Sequence, residues 1–365
     1  MKEDFPVATR AEYLSGDVTP KIRATLRRTR LDFGDVLIHM NDEAVIDDIL
    51  DPAVPVWTGT IIASATNGAE ILRSIDNGAS FTQVAVATGN NSLYSIVLAT
   101  NGDYIAGTGV APAEIWRSQD DGLTWAYLAT LGGGSTMTVQ SLVRAVNGDL
   151  LAGTYLDGKI WRSQDMGVTW AEIGDLGDEN NVHDLVVLDN GDILAGTSAD
   201  AEIWRSQNNG ETWTKIKTLT GELDIFSFVV AANGDIIAGT GTHSEFWRSQ
   251  DDGDTWTEVD TAGMRYVVRM VRASNDDLVA AVQNYTGEFW RSQNNGETWA
   301  HVHTMPYGGG LEDMIVAQNG DIIACGRRRY GPGSFWRSQD NGATWAELST
   351  VAGSVSIVSL GPTVS

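Results

Sequence analysis

Three short segments late in the sequence combine tyrosines with basic side chains. They are QNYTGE from Gln283, HTMPYGGGL from His303 and GRRRYGPGS from Gly326. Tyrosine rings offer stacking platforms and arginines offer paired hydrogen bonds, so such a set suits a sugar, an acidic glycan or a protein carboxylate. A basic patch that docks on an acidic subunit, or is simply solvated, would look the same. The candidate ligand-binding residues are Tyr285, His303, Tyr307, Arg327, Arg328, Arg329 and Tyr330.

Two further groups of charged residues have types that could do chemistry. Asp178, Glu179 and His183 could ligate a metal, but their Gly- and Asn-rich surroundings favour a solvated loop. Arg265 and Arg269 are an even number of residues apart, so on a strand both would face one side and could point into a central channel. The sequence contains no nucleophile-elbow, Walker or zinc-spacing motif. These observations favour a protein without metal, cofactor or catalytic residues.

The elements that position these residues follow from an internal repeat. Six octapeptides share the pattern of SQDDGLTW, and a seventh, SIDNGASF, is degenerate. The seven copies start at Ser74, Ser118, Ser163, Ser206, Ser249, Ser292 and Ser338. Successive copies are 43 to 46 residues apart. This is the length of a four-stranded propeller blade, so the repeat predicts a β-propeller.

A second signature precedes the octapeptide in six of the units, for example NGDYIAGT from Asn101. Asn-Gly ahead of a short apolar run predicts a β-hairpin, because a type I′ turn needs positive φ at both central residues. In the second unit we expect strands near residues 92–99, 103–109, 114–119 and 124–130. The Asn-Gly turn then joins the first two strands, and the octapeptide joins the last two.

The two ends of the repeat complement each other. The first unit has second, third and fourth strands (GTIIAS, AEILRS, SFTQVAV) but no first strand, whereas SVSIVSL from Ser354 resembles a lone first strand. We therefore predict an all-β, seven-bladed propeller over residues 56–365, closed by the C-terminal strand joining the first blade. Closure removes open strand edges. In such a ring the three segments rich in tyrosine and arginine lie on one face, in neighbouring loops.

The octapeptide resembles the Asp-box, or bacterial neuraminidase repeat, Ser-x-Asp-x-Gly-x-Thr-Trp, over residues 56–365. In this interpretation the Ser and Asp side chains stabilise the turn, the Gly takes positive φ, and the Trp fills the space between sheets. The structural Asp-box positions are Asp76, Asp120, Asp165, Asn208, Asp251, Asn294 and Asp340. Asn at two of them favours a turn acceptor over a calcium ligand. The Trp-Arg pair on the third strand of six units, such as Trp116 and Arg117, is equally repeated and also favours a structural role.

The family includes sialidases, so the resemblance raises a glycan-active hydrolase of sialidase-like type as an alternative function. Such an enzyme would need an arginine triad, a Tyr-Glu nucleophile pair and an acid-base Asp. The Arg-Ile-Pro segment that usually precedes the first box is absent, since DPAVPVWTGT stands there. Sialidase propellers also have six blades. The near-constant repeat length leaves little room for the long loops on which active sites are built, and this favours a non-catalytic protein.

Residues 1–55 precede the repeat. Thr19 and Pro20 predict a helix start, with the basic KIRATLRRTR running to about residue 31, and DEAVIDDIL predicts a second helix. So short a segment cannot bury a core alone. We expect this arm to pack on the propeller or to dock on a protein partner.

Charge narrows the range of partners. The formal net charge of −24 disfavours nucleic acid and anionic membranes, and the absence of a long apolar run predicts no membrane insertion. The acidic start lacks the apolar core of a signal peptide, so a cytoplasmic or virion-associated protein is expected. The preferred hypothesis is a non-catalytic recognition propeller, anchored to a larger assembly such as a virion or phage tail, that binds glycan or protein. An intracellular assembly scaffold is the other alternative.

Overall fold

The computed structural model describes residues 30–33, 36–39, 59–66, 70–86, 92–109, 111–133, 137–177, 181–263, 266–283, 286–306, 308–329, 331–350 and 356–361. The chain divides into two units, residues 1–54 and residues 55–365. Within these described ranges, no helix has the length and apolar character needed to span a membrane.

In the first unit, β1 (Arg30–Phe33) pairs with β2 (Val36–His39) in an antiparallel hairpin. The expectation of a helix running to about residue 31 is therefore wrong at its last two residues. The sequence places Gly34-Asp35, a two-residue hairpin signal, between the alternating segment RLDF and the apolar segment VLI, and this outweighs the helix pattern. The rest of that predicted helix and the second one, DEAVIDDIL, lie outside the described residues.

The second unit consists of seven four-stranded antiparallel sheets, numbered here as blades 1 to 7. Blade 1 contains β3 (Ile61–Ala65), β4 (Glu70–Ser74) and β5 (Thr82–Val86). Blade 2 consists of β6 (Leu93–Leu98), β7 (Tyr104–Thr108), β8 (Glu114–Ser118) and β9 (Ala126–Thr130). A 3₁₀ turn at Leu131–Gly133 follows. Blade 3 consists of β10 (Thr138–Arg144), β11 (Leu150–Tyr155), β12 (Lys159–Ser163) and β13 (Ala171–Asp175). Blade 4 consists of β14 (Val182–Val187), β15 (Ile193–Thr197), β16 (Glu202–Ser206) and β17 (Thr214–Thr218).

The remaining blades repeat the same order. Blade 5 consists of β18 (Ile225–Val230), β19 (Ile236–Thr240), β20 (Glu245–Ser249) and β21 (Thr257–Thr261). Blade 6 consists of β22 (Tyr266–Arg272), β23 (Leu278–Gln283), β24 (Gly287–Ser292) and β25 (Ala300–Thr304). Blade 7 consists of β26 (Gly309–Val316), β27 (Ile322–Arg328), β28 (Ser334–Ser338) and β29 (Ala346–Thr350). The last strand, β30 (Ile357–Gly361), is the first strand of blade 1.

Closure of the ring depends on β30. This strand pairs antiparallel with β3, with Leu360 opposite Ala63. The Thr66 N–H also donates to the Ser356 carbonyl over 2.9 Å. The first strand of each blade contacts the first strand of the next, and β30 contacts both β26 and β6. The predicted seven-bladed propeller, closed by its C-terminal strand, is confirmed.

The hydrophobic core lies between neighbouring blades. Every residue of β7, β15 and β19 is buried, as expected for strands covered by sheets on both faces. Ile105 of blade 2, for example, belongs to the same buried cluster as Leu142 of blade 3. The fourth strands, such as β17, carry exposed residues. Stability therefore comes from seven similar layers rather than one central core.

The octapeptides form one type of turn between the third and fourth strands, called the repeat turn. In blade 5, the Ser249 hydroxyl accepts the Gly253 N–H over 2.9 Å, and Asp251 accepts both the N–H and the hydroxyl of Thr255. Hydrogen bonds from Thr255 and then burial, which opposes them, leave the pKa of the Asp251 carboxyl lowered. In blade 4, Asn208 accepts the Thr212 N–H in the same way, over 2.9 Å. The amide thus makes the same contact as the carboxylate.

The ring that ends each repeat turn packs on the preceding blade. Trp299 stacks on Phe246 with ring centroids 4.1 Å apart, and Trp345 stacks on Phe289 at 3.7 Å. The expectation that these tryptophans fill the space between sheets is confirmed at both positions. In blades 2 to 7, the arginine of the third strand lies within 4.0 Å of the aspartate of the hairpin turn in its own blade, whereas Arg73 of blade 1 pairs with Asp121 of blade 2. The pairs within a blade are Arg117–Asp103, Arg162–Asp149, Arg205–Asp192, Arg248–Asp235, Arg291–Asp277 and Arg337–Asp321.

Candidate functional site

The first strand of every blade contains a β-bulge at the same place. Pairing with the second strand slips by one residue there, which leaves one residue of the first strand unpaired. A bulge redirects the side chain of its extra residue. The seven bulge residues are Tyr94, Gln140, His183, Phe226, Val268, Glu312 and Val358. All seven line one central cavity of about 440 Å³.

This cavity is called the channel mouth below. Besides the bulge residues, it is lined by Tyr155, Asn181, Asp224 and Tyr266. These four residues lie at the ends of strands or in the loops between blades, so the cavity sits at the end of the channel opposite the repeat turns. One side chain from each blade therefore meets at this end of the channel.

One side of the channel mouth is aromatic. Ring centroids are 5.9 Å apart for Tyr155 and His183, 4.4 Å for His183 and Phe226, and 5.1 Å for Phe226 and Tyr266. These four residues are called the aromatic arc. Gly241 makes room for it, because a Cβ there would lie 2.4 Å from the Phe226 ring. The arc places aromatic rings from blades 3 to 6 side by side, tilted by 36° to 61° relative to one another.

His183 is the buried member of the arc. Burial lowers the pKa of its imidazole to about 4, so the ring is neutral at pH 7. Its Nε2 lies 4.0 Å from Oδ1 of Asp224. Burial, and next the nearby Glu222 carboxylate, raise the pKa of Asp224. The imidazole thus provides a face for stacking and no positive charge to neutralise Asp224.

The residues that follow the bulges form a second ring, called the floor, of which Ser95, Arg269 and Asp313 line the cavity. The floor residues are Ser95, Ser141, Asp184, Ser227, Arg269, Asp313 and Ser359. Several of them link one blade to the next. Leu142 N–H donates to the Ser95 hydroxyl over 2.8 Å, and Phe228 N–H donates to Asp184 over 2.8 Å. Five of the seven accept an N–H of the next blade in this way. Ser359 instead donates to the Leu93 carbonyl, and Arg269 has no side-chain oxygen to accept one.

Arg269 is held by the two carboxylates of the floor. Its guanidinium lies 3.3 Å from Asp184 and 3.2 Å from Asp313. Burial raises the pKa of both carboxyls, although the arginine opposes this. Where the preceding blade has a serine on the floor, the equivalent N–H donates to its hydroxyl. The preceding blade of Met314 has Arg269 there, and the Met314 N–H donates instead to Asp313 over 2.8 Å. The expectation that Arg269 points into the channel is supported by this geometry, whereas Arg265 lies outside the described residues.

One of the predicted ligand-binding residues, Arg327, lies at the rim of the cavity. Arg327 is exposed and lies 3.5 Å from Glu312, a residue of the channel mouth. Arg328 turns outward to Glu347 of the fourth strand, and the Arg329 N–H donates to the Gly308 carbonyl. Of the three arginines, the structure brings only Arg327 to the mouth.

The other predicted residues are placed elsewhere or not at all. His303 lies in the fourth strand of blade 6, with its ring 6.2 Å from Phe289 and 5.5 Å from Trp336 of blade 7. Burial lowers the pKa of this imidazole. Tyr285, Tyr307 and Tyr330 lie outside the described residues. The same holds for Asp178 and Glu179, whose expected companion His183 is in the channel mouth.

Comparisons with known proteins agree with the fold. The family model for sortilin (neurotensin receptor 3) matches residues 158–287. None of the curated proteins matches the chain in sequence. The structure of YCF48 bound to D1 peptide is similar with a TM-score of 0.51 and 18% identity, covering 67% of this chain and 77% of that one.

Two further solved structures are similar. YCF48 from Cyanidioschyzon merolae has a TM-score of 0.53 and 19% identity, over 75% of this chain and 90% of that one. Virginiamycin B lyase from Staphylococcus aureus has a TM-score of 0.60 and 14% identity, over 79% and 91%. At these identities the likeness shows the propeller fold alone, since one fold carries unrelated functions.

Proposed function

We propose that this protein is a non-catalytic recognition propeller, and that its channel mouth binds a partner-protein segment bearing a cationic side chain. The observation that carries the proposal is the combination of the aromatic arc with nearby carboxylates in the cavity where all seven blades meet. A cation over an aromatic face contributes about 0.5–2 kcal/mol, and more as the site loses water.

The charge balance of the mouth favours a cation. Among the described residues, the ion-pair partner of Asp224 is His183, which is neutral at pH 7. On the floor, two carboxylates, Asp184 and Asp313, face the single charge of Arg269. A lysine or arginine side chain would supply the missing positive charge and stack on Tyr266 at the same time.

The floor residues support binding rather than catalysis. Both oxygens of Asp313 have partners: Oδ2 accepts the Leu360 N–H over 2.8 Å, and Oδ1 faces Arg269 and accepts the Met314 N–H. Asp184 similarly divides its oxygens between the Phe228 N–H and Arg269. Carboxylates used in this way join blades, and their oxygens have little freedom to exchange protons with a substrate.

A protein segment is a suitable carrier for the cation. The YCF48 structure contains a peptide, so a propeller of this fold can hold one. We assign the repeat turns to the Asp-box type on the geometry at Asp251 and Asn208. We further propose that residues 1–55 attach the propeller to a larger assembly, of the kind found in a virion or phage tail.

The proposal can be tested with a peptide array. Random 12-residue peptides would be probed with the wild-type chain, with Tyr266→Ala and with Tyr127→Ala. Tyr266 is 37% exposed and Tyr127 is 51% exposed, so both variants should fold. Tyr127 lies on the fourth strand of blade 2 and is therefore a matched control. We expect peptides rich in Lys or Arg to be selected, and Tyr266→Ala alone to weaken binding about tenfold.

Other results would overturn the proposal. Selection of acidic peptides, or binding that Tyr266→Ala leaves unchanged, would contradict a cation site in the channel mouth. A parallel glycan array with the Tyr285, Tyr307 and Tyr330 triple alanine variant tests the glycan prediction. If the wild type binds a glycan, the triple variant does not, and no peptide binds, the recognition site would instead be formed by the loop tyrosines.

A further inference from the structure

Blade 5 carries a group of metal-ligand side chains outside the channel mouth. Glu222 lies in the loop before β18, His243 lies in the loop between β19 and β20, and Glu245 is the first residue of β20. One ligand atom from each lies within 4.8 Å of the other two. We propose that these three residues form a binding site for a divalent transition-metal ion such as Zn²⁺.

The carboxylates are oriented as metal ligands are. Oε2 of Glu222 faces the Thr242 N–H at 3.4 Å, and Oε2 of Glu245 faces the Trp247 indole N–H at 3.3 Å. The other oxygen of each, Oε1, points to Nδ1 of His243, at 3.4 Å and 3.9 Å. Partners that fix one oxygen and leave the second for the metal are typical of ligating carboxylates.

The spacing is close to that of a metal site. Ligands bound about 2.0–2.2 Å from a tetrahedral zinc ion are roughly 3.4 Å from each other. The His243–Glu222 distance already has this value. The His243 side chain is 60% exposed, so it can rotate to shorten the longer distance. The ion would close the site through one exposed ligand, with the other two held by the fold.

The site lacks the positive charge that its counterpart in blade 4 has. Glu202 occupies the position of Glu245 and is bonded to a tryptophan in the same way, but Lys215 neutralises it over 2.8 Å. In the strand register, Lys215 opposite Trp204 corresponds to Glu258 opposite Trp247. Blade 5 therefore replaces the lysine with a further acid.

Burial makes this charge costly. The Glu222 side chain is only 1% exposed, and among the described residues His243 is the ion-pair partner of both glutamates. A divalent ion would neutralise both carboxylates.

The imidazole also determines which ions fit. Ca²⁺ and Mg²⁺ prefer sites made of oxygen atoms alone, whereas an imidazole nitrogen suits zinc, copper and nickel. We therefore expect Zn²⁺ to bind in the presence of millimolar Mg²⁺.

Isothermal titration with ZnCl₂ tests the site on the full chain after treatment with EDTA. The variants are His243→Gln, which changes an exposed residue and should fold, Glu222→Gln, and Glu202→Gln as the matched control in blade 4. We expect one zinc site per chain with the affinity reduced at least about tenfold in both blade 5 variants and unchanged in Glu202→Gln. Zn²⁺ should also raise the thermal midpoint of the wild type and not that of His243→Gln.

Two results would overturn the zinc site. One is no zinc binding by the wild type. The other is zinc binding that His243→Gln leaves unchanged, because the ion would then be held elsewhere. Neither result bears on the channel mouth, since Tyr266 is not part of this site.

Discussion

Arg269 gives the sharpest test of how the ring is held together. We expect Arg269→Ser to destabilise the propeller strongly at pH 7. Each of its two carboxylate contacts, at 3.3 and 3.2 Å, has a gross Coulomb energy of about 5 kcal/mol at an effective dielectric of 20. Desolvation offsets most of this gain. Removing one partner of a buried pair costs about 3–5 kcal/mol, because the remaining charge is left unpaired.

A second variant separates the charge effect from loss of the arginine itself. Serine occupies the floor position in four blades, where Ser141, for example, accepts the Leu185 N–H over 3.1 Å. In the triple variant Arg269→Ser, Asp184→Ser and Asp313→Ser, the ring would consist of serines and no charge would be buried. We expect its free energy of unfolding to return to within about 1 kcal/mol of the wild type, since replacing a whole buried ion group is often neutral.

Urea denaturation followed by tryptophan fluorescence measures both variants. Arg272→Ser, on the same strand but exposed, is the control and should change the free energy of unfolding by less than about 0.5 kcal/mol. Burial raises the pKa of Asp184 and Asp313, so the loss in Arg269→Ser should shrink as the pH falls and these carboxyls take up protons. A loss below about 1 kcal/mol at pH 7, or a triple variant as unstable as the single one, would refute this account.

Three further predictions concern other parts of the propeller. The pKa of His183 is about 4 in the folded state against 6.5 in the unfolded chain. The free energy of unfolding should therefore fall by roughly 3 kcal/mol from pH 7 to pH 4 because of this residue. In urea titrations, His183→Phe should remove that part of the pH dependence. Asn208→Asp should leave the thermal midpoint unchanged, since either side chain accepts the Thr212 N–H, whereas Asp251→Ala should cost about 1 kcal/mol, as loss of a capping acceptor does. Gly296→Ala should cost more than about 1 kcal/mol by calorimetry, because φ is +81° and the new Cβ would lie 2.3 Å from Ile237.

The fold could be predicted from the sequence because its signals are repeated. The octapeptide recurs with a nearly constant spacing, and each copy forms the same turn, as the hydrogen bonds of Ser118, Ser163 and Ser206 to a glycine N–H show. Closure could be predicted because the missing strand of the first unit and the extra strand near Ile357 are complementary.

The channel mouth could not be predicted in the same way. Its residues occupy the same position in each blade, the bulge of the first strand, but they differ in residue type. Tyr94, His183 and Glu312, for example, are structurally equivalent, and the sequence repeat does not reveal this. Aligning the units by their hairpin turns would have shown this variable column. Nor does simple alternation along the strand apply, because the bulge at Val268 interrupts it one residue before Arg269.

The sequence pattern also gives the wrong place for some of the predicted ligand-binding residues. It puts His303 in a loop, but His303 belongs to a strand that continues to Thr304, and its ring packs between blades. Three consecutive arginines separate for a related reason. Successive residues of a strand point to opposite faces, so Arg327 reaches Glu312 while Arg328 reaches Glu347.

The pairing of β30 with β3 has a consequence for synthesis of the chain on the ribosome. Thr66 and its partner Ser356 are 290 residues apart, so at about 5–20 residues per second the second strand of blade 1 emerges roughly 15–60 s before the first. During this interval the edge of β3 has no native partner, while blades 2 to 7 can already form from contiguous segments. A nascent chain of this kind has an open edge that could pair with a neighbouring chain on the same messenger RNA, and rapid capture of β30 is what ends that exposure.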